Sequence, residues 1–97
     1  MNLVELFRHQ VDLQVIPAGQ ALFREGERGD FMYVLMSGAA EIIIRDRVME
    51  TAVAGAIVGE MAIIDESARS ATVVAKNDCM FLPIERERFN FLVQKKP

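Results

Sequence analysis

The sequence predicts a mostly β protein, a small sandwich or barrel with a short helix at each end. Roughly seven or eight apolar segments of strand length follow one another at a spacing of about ten residues, with turn signals between them. The 97-residue chain is long enough for one domain and too short for two. Its 52% apolar composition, with six phenylalanines, is typical of a folded protein with a core. We therefore expect a single domain over residues 1–97.

Apolar residues at helical spacing mark both ends of the chain. Asn2 is a candidate N-cap with Glu5 three residues later, and an amphipathic segment follows. Near the C-terminus, Phe89, Leu92 and Val93 share one face of a helical pattern. These two segments predict helices that flank the strands.

Turn signals divide the middle of the chain into short strands. The first three turns are IPAGQ (16–20), REGERGD (24–30) and SG (37–38). The run EIIIRDRVMETAVAG (41–55) then predicts two strands joined around Asp46-Arg47. Two more strands are expected at residues 69–75 and 79–84, separated by Lys76-Asn77-Asp78.

Composition excludes several classes of function. The formal net charge is −3, so no basic field would recruit nucleic acid or an anionic membrane. Cys79 is the only cysteine and His9 the only histidine, which argues against a disulfide, a metal site or a metal-containing cofactor. The N-terminus lacks the apolar core of a secretory signal, and no apolar stretch approaches the ~20 residues of a membrane span. We expect a cytoplasmic protein.

The stretch VGEMAIIDESARSATV, residues 58–73, interrupts the strand pattern. Gly59 precedes a short helix-like run, whose free N–H groups at residues 60–62 would form an anion site together with the helix dipole. Arg69 follows ten residues after Gly59 among small side chains, where its guanidinium could bind phosphate oxygens. Glu60 cannot bind phosphate but is suited to accept hydrogen bonds from sugar hydroxyls. A ribose and a phosphate held side by side indicate a nucleotide.

The same residues have a plainer interpretation. Gly59 would be only a turn glycine, and Glu60 only a solvated carboxylate. Arg69 would pair with Asp65 or Glu66 on the surface, where an ion pair contributes little stability. Because a helix N-terminus occurs in many proteins, the residues by themselves leave both interpretations open.

The pattern of this stretch resembles the phosphate-binding cassette of the cyclic nucleotide-binding domain family, which includes catabolite activator proteins, protein kinase A regulatory subunits and cyclic-nucleotide-gated channels. The family pattern is Gly-Glu-aliphatic-Ala followed, ten residues after the glycine, by Arg-Ser/Thr/Ala-Ala-Thr. Residues 59–62 (GEMA) and 69–72 (RSAT) match it at that spacing. The segment FREGERGDFMYVLMSGAAEI (23–42) also resembles the family's strand and turn pattern, so the resemblance covers nearly the whole chain.

The resemblance implies an eight-stranded jelly roll with flanking helices and a specific set of ligand contacts. Arg69 would bind the cyclic phosphate and Glu60 would accept from the ribose 2′-OH. Backbone N–H groups of Met61-Ala62 and Ser70-Ala71 would complete the phosphate site. Asp30 would brace the arginine. The implied ligand-binding residues are Gly59, Glu60, Met61, Ala62, Arg69, Ser70, Ala71, Ile42 and Met49, with the last two packed against the base.

The function implied is that of a non-catalytic sensor in signal transduction, a bacterial regulatory domain that binds cAMP in preference to cGMP and needs no cofactor. Ser70 leaves cGMP open, since a hydroxyl after the arginine helps some family members accept guanine. A structural or interaction domain that keeps the fold without responding to nucleotide is the alternative. A cupin-like enzyme on a similar barrel would need several histidine ligands, and His9 is the only histidine.

The chain also departs from the family pattern. Glu66 and Ala68 occupy positions where the family often has Gly and Pro, and Val58 stands where an aromatic residue is frequent. The sequence ends at Pro97, so we expect most of the C-terminal lid helix and any output domain to be missing. The apolar residues of the C-terminal helix are more than one face can bury, which suggests contact with a partner protein or a second copy.

Overall fold

The computed structural model describes residues 13–61 and 68–87, and they form eight strands. The strands are β1 Gln14–Ile16, β2 Ala21–Phe23, β3 Phe31–Ser37, β4 Ala39–Ile44, β5 Arg47–Val53, β6 Ile57–Val58, β7 Thr72–Ala75 and β8 Cys79–Glu85. The chain becomes helical at Glu60-Met61 and again at Arg86-Glu87. The predicted N-terminal helix and the apolar part of the predicted C-terminal helix lie outside the described residues.

Two four-stranded antiparallel sheets make up the fold. The first has the strand order β1-β8-β3-β6 and the second the order β2-β7-β4-β5. The chain passes repeatedly from one sheet to the other, because β2 lies in the second sheet, β3 in the first and β4 in the second again. This arrangement confirms the predicted mostly β, eight-stranded jelly roll. No helix of the described residues is long and apolar enough to span a membrane.

The β4–β5 hairpin turns one residue earlier than expected. Arg45 and Asp46 both have positive φ, 50° and 65°, as in the two-residue turns whose twist matches that of the flanking strands. Arg47 therefore begins β5 and pairs with Ile44. The pairing contains a β-bulge, because Ile42 pairs with Glu50 while the next residue of β4 pairs with Val48.

The core lies between the sheets and has an aromatic cluster near one end. Leu35 and Phe81 are fully buried. Tyr33 packs edge-on against Phe81, with ring centroids 6.1 Å apart, and lies 6.0 Å from the ring of Phe23. Phe23 ends β2 and so brings the edge of this cluster to the start of the 24–30 loop. Burying side chains of this size contributes roughly 1.5–3 kcal/mol each to folding.

Cys79 lies at the other end of the core, where it has a structural role. The thiol is buried, its Sγ donates to the carbonyl of Ala39 at 3.1 Å, and burial raises its pKa. Gly38, with φ of 93°, passes so close that a Cβ would approach Cys79 Cα to 2.9 Å. Cys79 is therefore a buried residue of β8 that packs in the core.

Candidate functional site

A cavity of about 240 Å³ opens between the second sheet and the segment that interrupts it. Its walls come from β2, β4, β5, β7 and the two segments 56–61 and 69–71. The lining residues are Phe23, Ile42, Ile44, Glu50, Ala52, Ala56, Ile57, Val58, Gly59, Glu60, Met61, Arg69, Ser70, Ala71 and Val73. Most of the residues predicted to bind ligand are among them.

The backbone of Arg69 is held in place by the 24–30 loop. Gly26 N donates to the carbonyl of Arg69 at 2.9 Å, and Arg69 N donates to the carbonyl of Glu27 at 2.7 Å. An isolated antiparallel bridge between Arg28 and Ala68 continues this pairing. Because both polar groups of the Arg69 backbone are bound, the direction in which its side chain leaves the main chain is fixed.

The Arg69 guanidinium is buried beneath the cavity and only 5% of the residue is exposed. Its Nη1 donates to the carbonyl of Gly59 at 3.2 Å, and its Cζ lies 4.0 Å from the centroid of the Phe23 ring. This stacking is a cation–π contact. The Nε atom is buried and has no hydrogen-bond partner among the residues that the structure describes. A permanent cation with an unused donor therefore lines the cavity.

Nearby groups partly offset the unfavourable burial of this charge. Burial lowers the pKa of the Arg69 guanidinium from its ordinary value, while Tyr33, Asp30 and Glu27 act in the opposite direction. The described ion pair of Asp30 is with Arg28 at 3.8 Å, so the expected bracing of Arg69 by Asp30 stays a prediction. Within residues 13–61 and 68–87 no carboxylate forms an ion pair with Arg69.

Gly59 is required by its position against Arg69 as well as by its turn. Its φ is 78°, a conformation that side chains rarely adopt. A Cβ at this position would lie 2.5 Å from Arg69 Nη1 and 3.1 Å from Phe23 Cε2. The glycine therefore lets the guanidinium pass beneath the backbone and reach the Gly59 carbonyl. The sequence also allowed Arg69 to pair with Asp65 or Glu66 on the surface. Both of these carboxylates lie outside the described residues.

The remaining cassette residues border the cavity on both sides of Arg69. Glu60 begins a helical turn and is half-buried, and Met61 beside it is 49% exposed. Ser70 and Ala71 follow Arg69 and also line the cavity. Ala62 lies outside the described residues. The structure thus brings the described residues of both halves of the cassette to one cavity.

The two residues expected to contact a base are placed differently. Ile42 on β4 is partly buried and lines the cavity. Met49 on β5 is 59% exposed and does not line it. Side chains alternate along a strand, so Glu50, which pairs with Ile42, shares the cavity face with Ala52, whereas Met49 between the Glu50 and Val48 pairs has no partner in the ladder. Glu50 lines the cavity in its stead.

Several lining or supporting residues were not assigned from the sequence. Phe23 carries the guanidinium, the 24–30 loop fixes the Arg69 backbone, and Ile44 and Glu50 form the far wall. The only sequence signal for the first two was their place in the FREGERGD pattern, which assigns no role. Among the described residues no group of three or more His, Cys, Asp or Glu side chains could hold a metal ion.

Comparisons with known proteins agree with this geometry. The family model described as the cyclic nucleotide-binding domain matches residues 13–96. The cAMP-dependent protein kinase regulatory subunit of Eremothecium gossypii is 30% identical over 81 residues, which cover 84% of this chain and 18% of that protein. This chain therefore spans less than a fifth of the length of that relative.

Solved structures give the same result. The catabolite activator protein of Thermus thermophilus superposes with a TM-score of 0.81 at 28% identity, covering 95% of this chain and 46% of that chain. The cAMP-bound form of the EAL enzyme Bd1971 has a TM-score of 0.79 at 29% identity, covering 89% of this chain and 24% of that one. The cGMP-bound form of the same enzyme has a TM-score of 0.81 at 28% identity and the same two coverages. Because these relatives include eukaryotic and bacterial proteins, they do not assign this chain to bacteria.

Proposed function

Because this chain belongs to the cyclic nucleotide-binding domain family, we propose that it is a non-catalytic sensor module that binds cAMP in preference to cGMP through the cassette at residues 59–72. The signal would pass to a cytoplasmic effector through the segment that follows β8. Within the described residues, the walls of the cavity supply one buried cation, two carboxylates and several apolar side chains. These groups correspond to the phosphate, sugar and base of a nucleotide.

The observation that carries the proposal is the state of Arg69. A charged residue that is only 5% exposed, with a buried Nε that has no hydrogen-bond partner among the described residues, is costly unless a ligand or a neighbouring group compensates for it. Its stacking on Phe23 and its bond to Gly59 orient it without neutralising its charge. A cyclic phosphate carries one negative charge and would supply that neutralisation.

The other contacts follow from the position of Arg69. Glu60, the residue after Gly59, also lines the cavity and would accept from the ribose 2′-OH, since a carboxylate would repel the phosphate. Backbone N–H groups of Ser70 and Ala71 would donate to the phosphate oxygens. Ile42 and Ile44 would cover an apolar face of the base. None of these contacts requires a covalent step.

Titration calorimetry with cAMP and cGMP tests the proposal directly. We expect saturable binding of both nucleotides, tighter for cAMP, and an upward shift of the melting temperature with ligand. Absence of heat and of a thermal shift up to millimolar nucleotide would refute sensing and favour a domain that keeps the fold for structural or interaction purposes. The nucleotide recovered after the titration should be unchanged, because no catalysis is expected.

A further inference from the structure

Glu50 is a charged residue of the cavity wall that would contact neither the cyclic phosphate nor the ribose. It lies on β5 directly opposite Ile42, at the end of the cavity formed by β4 and β5. Among the residues that the structure describes, the Glu50 side chain has no hydrogen bond or ion pair, although its backbone pairs with that of Ile42. Resting on the function proposed above, we infer that the Glu50 carboxylate accepts a hydrogen bond from the exocyclic 6-amino group of adenine and thereby selects the base.

The inventory of donors on the ligand supports this assignment. The cavity presents two carboxylates, Glu50 and Glu60, to a ligand that is itself an anion. A carboxylate can only accept hydrogen bonds, so each one is favourable only where the ligand offers a donor. A cyclic adenosine nucleotide has two donor groups, the 2′-OH and the 6-amino group. With the 2′-OH bound to Glu60, the 6-amino group is the one left for Glu50.

The fold places the two carboxylates at different ends of the cavity, as the separation of the 2′-OH and the 6-amino group on the ligand requires. Arg69 and Glu60 border the cassette side of the cavity, whereas Glu50 stands on the β4–β5 hairpin with Ile42 and Ile44 beside it. A base whose flat face lies against the two isoleucines would extend its edge toward the strand that carries Glu50. At that edge a 6-amino group would donate to the carboxylate, whereas the 6-oxo group of guanine would face it as a second acceptor.

The experiment is a two-by-two comparison of residue and ligand. cAMP and its 6-deamino analogue, purine riboside 3′,5′-cyclic monophosphate, are titrated into the wild-type chain and into Glu50→Leu. We expect Glu50→Leu to weaken cAMP binding about 3- to 10-fold relative to its effect on the analogue, since a single hydrogen bond of this kind is lost. Removing a negative charge strengthens binding of both anions alike, so this effect cancels in the ratio.

Matched controls and further outcomes separate this inference from the proposed function. Glu41→Leu removes a carboxylate from the same hairpin at a position that does not line the cavity, and it should leave the cAMP-to-analogue ratio unchanged.

If wild type binds cAMP but Glu50→Leu leaves that ratio unchanged, the inference is wrong while the sensor function stands. A larger loss for cGMP than for cAMP would also overturn it, because the carboxylate would then face the N1–H and 2-amino edge of guanine. No binding of cAMP by wild type would overturn both proposals.

Discussion

The two ends of the cavity are built differently. At the cassette end, the Arg69 side chain is buried, its backbone is bonded to the 24–30 loop, and its guanidinium is fixed by Gly59 and Phe23. At the β4–β5 end, the Glu50 side chain is exposed and makes no described hydrogen bond or ion pair, and the strand carries a bulge. If a cyclic nucleotide binds as proposed, the cassette end is preorganised for the phosphate that every cyclic nucleotide shares, whereas the hairpin end is open where nucleotides differ. Affinity should depend on the first and selectivity on the second.

The largest expected effect comes from removing the buried charge. Arg69→Ala should weaken binding of cAMP by about 1.5–3 kcal/mol, roughly 10- to 150-fold, because a charge-assisted contact is lost. Calorimetry measures the change, and Arg28→Ala is the control, since the Arg28 side chain is 90% exposed. Equal affinities for wild type and Arg69→Ala would place the phosphate elsewhere. The cassette end would then not be the part of the cavity that determines affinity.

A pair of glycine variants tests whether the approach of Gly59 to Arg69 matters. Gly59 and Gly55 both have positive φ, 78° and 99°, so an alanine at either should lower the free energy of unfolding by about 1–2 kcal/mol. Only at Gly59 would the new Cβ meet the guanidinium, because nothing lies within 4 Å at Gly55. We expect Gly59→Ala alone to weaken cAMP binding several-fold as well. Denaturant titration and calorimetry give the two quantities, and equal affinities would show that Arg69 adjusts without loss.

A smaller effect is expected at the sugar. Glu60→Gln should cost less affinity than Arg69→Ala, because a neutral amide can still accept from a hydroxyl. The loss of the contact to the 2′-OH should be clearer in the selectivity. The ratio of the affinities for cAMP and 2′-deoxy-cAMP should be smaller for the variant than for wild type. Competition binding of the two nucleotides measures this ratio. A ratio identical to that of wild type would mean that Glu60 does not contact the 2′-OH.

The smallest effects should separate the two residues first expected to touch the base. Met49→Ala should change cAMP affinity less than twofold, because this side chain is exposed and outside the cavity wall. Ile42→Ala removes apolar surface from the wall and should cost about 1 kcal/mol of binding free energy. Paired titrations compare them, and a larger loss at Met49 would show that the bound hairpin has a different register.

Much of the cassette end was predictable because it is encoded locally. The positions of Gly59, Glu60 and Arg69 follow one pattern of residue types and spacing, and the structure brings all three to one cavity. The support of Arg69 was not predictable, since hydrogen bonds to Gly26 and Glu27 join residues more than forty positions apart, and no periodicity records such a pairing. The stacking on Phe23 is similarly long-range.

The hairpin end was predicted less well for a related reason. Side chains alternate along β5, and Ala52, which lines the cavity, assigns Glu50 to the same face and Met49 to the other. Which face is turned toward the cavity depends on how β5 pairs with β4, as in the Ile42–Glu50 pair, and the sequence of β5 alone does not show it. Met49 was therefore expected in the cavity, whereas Glu50 occupies the wall.

The buried guanidinium of Arg69 also couples ligand concentration to how much of the protein is folded. Its unpartnered Nε represents an unfavourable term of roughly 1–3 kcal/mol in the empty domain, and small domains have a total stability of only about 5–15 kcal/mol. A nucleotide at a hundred times its dissociation constant would add about 2.7 kcal/mol to the stability of the folded state. If the domain is the sensor proposed above, a cell that lowers its nucleotide level would also expose more of it to proteolysis, and the lifetime of the protein would follow the nucleotide concentration.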